Sequence, residues 1–174
     1  MAKWGRPQMA AEMEDCVKPT FSQLTDQEQA WVASQLELAA KIINAFAPKD
    51  AGKPLTLAAL DRAFAAWVDT KATDSELVNG VVNGVGVAFG QSLVDKLGFA
   101  WVMASDADGT DLAVLGLPGK GDVLIYPANV VAKRWERRET NFLERVYEQV
   151  AEQVKALAAQ DAMRPHPKPW WKLW

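Results

Sequence analysis

The sequence predicts an α+β domain: a three-stranded antiparallel meander packed with about five helices, in the order ααα-βββ-αα. Three features carry that prediction. Apolar residues recur at helical spacing between 25 and 98, with two polar breaks. Short β-rich runs replace that spacing between 99 and 127. Helical spacing then returns up to about residue 160.

Residues 1–24 have no clear period and read as an N-terminal arm, with Trp4 and Phe21 as the groups that could lay it on the body. The main domain is expected over 25–164. Its first helix starts at a capping box, Thr25 with Glu28, in which hydroxyl and carboxylate each satisfy a free amide. Trp31, Leu38, Ile42 and Phe46, with Val32, Gln35 and Ile43 beside them, make its apolar stripe. The Pro- and Gly-containing stretch 47–54 breaks it. A second helix, about 56–69, carries Leu57, Leu60, Phe64, Trp67 and Val68. Thr73 and Glu76 suggest another capping box, and a third helix runs from there to Gly98, a left-handed cap. Strands follow at "FAWVMAS", "TDLAVLGL" and "DVLIYP", joined by "DADG" and "PGKG". Pro127 suits the first turn of a short helix through 138. The last helix, about 140–160, puts Phe142, Val146, Val150, Val154 and Leu157 on one face before the prolines stop it.

A chain of 174 residues, 49% hydrophobic and 24% charged, can bury one proper core. A net charge of −3 gives no general attraction to nucleic acid or anionic lipid. With one cysteine, Cys16, an intrachain disulfide is excluded, which fits a reducing compartment. The opening "MAKWGRPQMAAEMEDC" has acids where a signal peptide would have an apolar core. No apolar run in the sequence suggests the roughly 20-residue span of a bilayer. A cytoplasmic protein is therefore expected.

Familiar catalytic arrangements are hard to assemble. The single histidine, His166, lies in a proline-rich tail, and Cys16 sits among acids that raise rather than lower a thiol pKa. In "GVVNGVGVAFG" the third glycine of a dinucleotide fingerprint is replaced by Phe89, and the setting is a helix. Gly80/Gly84 and Gly86/Gly90 instead leave bare backbone stripes for close packing, or for a backbone-lined cleft that Asn79 and Asn83 could border. The "DADGTD" segment lacks the glycine and glutamate of a calcium loop, and Asp-Gly is a strong hairpin signal. No metal and no cofactor is expected. "KRWERRE" is a locally basic helix in an acidic chain. It is either a solvated face or a patch for an anion or an acidic partner, formed by Lys133, Arg134, Arg137 and Arg138.

The stretch "LGFAWVMASDADGTDLAVLG" followed by "VLIYPANVVAKRWERRE" resembles a bacterial family known as domain-of-unknown-function family 3806. The resembling parts are Gly98 and Trp101, the run Asp108-Gly109-Thr110-Asp111-Leu112, Tyr126-Pro127 and Lys133-Arg134-Trp135-Glu136, within roughly 55–150. The resemblance implies a bacterial source and a small α+β domain, and no activity. Within that stretch Asp108 and Asp111 could meet Lys133 and Arg134 as an ion pair tying hairpin to helix. The alternative is a polar site between sheet and helix with Trp101 as one wall.

The chain ends "PHPKPWWKLW". Alternating prolines make 165–169 extended and stiff. Trp170, Trp171 and Trp174 would be a sticky patch in water, so the tail is expected to dock. Its targets, in order of preference, are its own body or a second copy in a homodimer, then another protein, then a membrane surface. The function expected on these grounds is a non-catalytic adaptor working by protein–protein contact, without nucleic acid. The alternative is a small-ligand or enzymatic domain using the sheet–helix site.

Overall fold

The computed structural model describes residues 19–107 and 109–163. The expectations resting on Trp4, Cys16, Asp108, His166, Trp170, Trp171 and Trp174 lie outside those residues. The described chain runs β1 (Thr20–Ser22), α1 (Asp26–Phe46), α2 (Leu57–Asp69), α3 (Ser75–Leu97), β2 (Ala100–Ser105), β3 (Thr110–Gly116), β4 (Val123–Ile125), α4 (Pro127–Glu136) and α5 (Leu143–Met163). A single turn of 3-10 helix, Pro48–Asp50, lies between α1 and α2.

The fold is α+β with the expected meander, but the sheet has four strands in the order β1-β2-β3-β4, all antiparallel. The extra strand comes from the segment the sequence presents as an arm. Phe21 pairs with Ala104 at the sheet edge. Three exposed residues have no period for a pattern to detect.

Cross-strand partners share a face. Trp101, Val114 and Ile125 are such a set, and they join the main core beneath the helices. Val102, Ala104, Ala113 and Leu115 form a smaller cluster with Leu124 and Tyr126 on the other face. The main core is aromatic at its centre. Phe64, Trp67 and Phe142 are fully buried, and Trp135 packs 4.4 Å from Trp67 between ring centroids.

Helix α3 is central, packing on α1, α2, α4, α5 and β3. By length and composition it is apolar enough to cross a membrane, contrary to the sequence reading, with 56% of the qualifying window buried in this fold. Its glycines explain how so many neighbours reach it. A Cβ on Gly84 would stand 3.1 Å from Ile42 of α1, and one on Gly86 2.7 Å from the Ala128 backbone of α4.

The local signals at helix ends are mostly realised. Thr25 and Glu28 make both capping-box bonds, and Gly98 closes α3 at φ +71°. The second capping box is not formed. Asp74, one residue after Thr73, caps α3 by accepting from the Leu77 amide at 2.8 Å. Asp74→Ala should therefore cost about 1 kcal/mol, and Thr73→Ala much less. Paired urea titrations of the two variants check this, and equal losses would contradict the assignment.

The last helix begins at Leu143 rather than 140, and its cap is not local. Asn141 is left-handed at φ +55°. The carboxylate of Asp61, on α2, accepts from the amides of Phe142 and Leu143 at 3.0 Å each and of Glu144 at 3.2 Å. Among the described residues Asp61 is the one buried charged side chain, 5% exposed.

Candidate functional site

A cleft forms where β4 ends. That strand pairs only with Val114, Leu115 and Gly116 of β3. The chain then turns at Tyr126 into α4, whose first residue is Pro127. The earlier residues of β3 therefore run on without a β4 partner, and the first turn of α4 stands across the gap from them. This turn is seated on α3 by the second glycine pair. A Cβ on Gly90 would lie 2.8 Å from Pro127 Cγ and 2.9 Å from Trp101 Cζ2. The bare stripe is thus a packing device that brings α4 and Trp101 close together as walls.

The inner part of the cleft is a cavity of about 140 Å³, and its lining includes Trp31, Asn83, Trp101, Asp111, Tyr126 and Asn129. An outer recess of about 330 Å³ shares Asp111, Tyr126 and Asn129 with it and adds Asp106, Gly109 and Thr110. The shared residues make the two continuous in chemistry. Trp101 is oriented by a short relay: its Nε1 donates to Gln91 Oε1 at 3.0 Å, and Gln91 Nε2 donates to Asp95 Oδ1 at 2.8 Å. The outer rim is the hairpin between β2 and β3, which the sequence places at "DADGTD". The Asp106 amide donates to the Gly109 carbonyl at 2.9 Å, and the Gly109 amide to Asp106 Oδ1 at 3.2 Å.

Burial, followed by the charges of Asp106 and Asp111, pushes the Tyr126 phenol above its ordinary pKa. The hydroxyl therefore keeps its proton at neutral pH and can donate. Asp111 offers acceptors, and Asn83 and Asn129 offer both donor and acceptor. The indole rings of Trp31 and Trp101 border the cavity as apolar walls.

The residues singled out in the sequence separate into three places. Trp101 and Asp111 both line the cleft. Lys133 and Arg134 line a different recess of about 260 Å³, on the side of Tyr126 and Asn129 that faces Leu124 and Val130. Arg138 lies 3.8 Å over the Trp135 ring and borders a recess with Asp69, Lys71 and Thr140. The ion pair between Asp111 and the α4 cations is not formed among the described residues. Arg134 instead donates from Nη1 to the Val130 carbonyl at 3.3 Å and lies over Phe142. Helix α4 does border the polar cleft, but through its first turn rather than its basic end.

Three members of the site are not legible as such in the sequence. The helical stripe assigns Trp31 to the core, yet it is 41% exposed and stands at the cleft. Tyr126 and Asn129 read as ordinary flanks of a helix start. Asn83, a polar residue among glycines and valines, is the signal that points to the cleft.

No curated protein and no solved structure matches the chain. One family model does, over residues 59–147, which is the stretch from α2 to the start of α5 and contains every cleft residue named here except Trp31. The chain belongs to that family, described as Domain of unknown function (DUF3806).

Proposed function

We propose that the protein is a binding domain for a small polar ligand held in the cleft between α3, the first turn of α4 and the start of β3. The observation that carries this reading is the convergence of Asn83, Asp111, Tyr126 and Asn129 between two indole walls in one concave site. A few polar groups set in an aromatic hollow fix orientation while the walls supply contact area. The competing reading, an adaptor acting by protein contact, rests on Trp170, Trp171 and Trp174, which lie outside the described residues.

A thermal-shift screen of small polar metabolites against the full chain tests the proposal. A ligand at a hundred times its Kd should raise the melting temperature by on the order of 5–10 °C. Asp111→Ala and Asn129→Ala should melt within about 2 °C of the parent without ligand, since both side chains are exposed. Both should lose the ligand's shift. A stabilising ligand that shifts both variants as much as the parent would place its site elsewhere. A large drop in the Asp111→Ala melt would return that residue to a structural role.

A further inference from the structure

The cleft has a one-sided charge. Asp111 borders both of its parts and Asp106 borders the outer one. No lysine or arginine lines either part among the described residues. The nearest cationic residues of α4, Lys133 and Arg134, belong to the other recess, and Arg134 is held there by Val130 and Phe142. The Asp111 carboxylate has no ion pair or hydrogen bond among the described residues, so its charge is answered by no side chain of the site.

The walls favour the same sign of ligand. Aromatic faces carry negative quadrupole density, and cations placed over them are attracted, most strongly at tryptophan. Trp31, Trp101 and Tyr126 supply three such rings around the inner cavity. Trp31 is also anomalous as a fold residue. It sits at the helical spacing of a core position, yet it is left 41% exposed beside the cavity. The amide oxygens of Asn83 and Asn129 add acceptors suited to N–H donors.

Resting on the reading of the cleft as a small-molecule site, we propose that its ligand carries an organic cation, an alkylammonium or guanidinium group. The cationic head sits in the inner cavity against Trp31, Trp101 and Tyr126, with Asp111 as its counter-ion. The remainder of the ligand extends along the outer recess past Thr110 and Asn129.

Calorimetric titration of the full chain tests this with choline and agmatine as probes. The control is choline's uncharged isostere, in which a tert-butyl group replaces the trimethylammonium. The cations should bind, and the uncharged isostere should bind at least tenfold more weakly than choline. Asp111→Asn, which keeps the shape and removes the charge, should weaken cation binding about tenfold while the unliganded melt stays put. Trp31→Ala should weaken it similarly. In the parent, choline should move the indole N–H resonances of Trp31 and Trp101 ahead of those of the other tryptophans.

Equal affinity for choline and its uncharged isostere would overturn the cationic assignment. So would a screening hit that is anionic or neutral and is lost in Asn129→Ala, although that result would uphold the small-molecule site. Failure of both cations to bind overturns the cationic assignment as well. If the metabolite screen also finds nothing that depends on Asp111 or Asn129, the underlying reading falls with it.

Discussion

Asp61→Ala, which removes the one buried charged side chain among the described residues, is expected to destabilise the protein by at least about 3 kcal/mol. The carboxylate accepts from three successive amides at the start of α5, at 3.0, 3.0 and 3.2 Å. Those amides belong to the orphan donors every helix start must satisfy. Phe142 and Leu143 are fully buried, so water cannot replace the carboxylate there. Each buried donor left unsatisfied costs about 1–3 kcal/mol. The helix also loses a negative charge at its positive end. Asp61→Asn should cost less, because one amide oxygen can still accept from Phe142 and Leu143 while the amide nitrogen cannot accept from Glu144. Urea denaturation followed by circular dichroism measures both. A loss under about 1 kcal/mol for the alanine variant would mean that α5 finds another cap.

Two glycines on one helix should respond to alanine in opposite directions. At Gly86 the new Cβ would stand 2.7 Å from the Ala128 Cα and 2.9 Å from its nitrogen, and backbone cannot swing away. Overpacking of this kind costs about 1–3 kcal/mol, and contact with backbone places Gly86→Ala at the upper end. At Gly80 the nearest atom is the flexible Leu38 Cδ2, at 3.8 Å. Gly80→Ala should therefore keep the helix-propensity gain, up to about 1 kcal/mol. The sign of each change in a denaturant titration decides the matter. If both stabilise, α4 is not seated on α3 as described. Since the displaced element would be the first turn of α4, Gly86→Ala should also weaken any ligand that depends on Asn129.

Elements written in local chemistry are legible in the sequence. The Thr25–Glu28 box, the Gly98 cap, the hairpin between β2 and β3 and the apolar faces of α2 and α5 involve residues within a turn or two of one another. What escapes depends on partners far along the chain. Asp61 reads as one more acid on a helix, because the amides it caps lie at 142–144. Thr20–Ser22 becomes a strand only because Met103–Ser105 presents an edge to it. Trp31 has the spacing of a core residue, and only the placement of β3 and α4 leaves it open. The basic run of α4 invites an ion pair with Asp111, and the choice falls to helix rotation, which sends Arg134 toward Phe142 instead. The glycine spacing on α3 does announce close approach. It does not say which neighbour arrives.

The short first strand has a consequence for how the protein behaves in a crowd of its own kind. Thr20–Ser22 occupies the outer edge of β2 along Met103, Ala104 and Ser105. Without it, β2 would end the sheet, and its neighbours Val102 and Ala104 belong to an apolar cluster. An unpaired edge next to apolar residues is a template for strands of other molecules. Three residues contribute little to the core, yet they cover the Met103–Ser105 half of the β2 edge, where an intermolecular strand would otherwise pair. In this fold, a segment without pattern in the sequence shortens the exposed edge of the sheet.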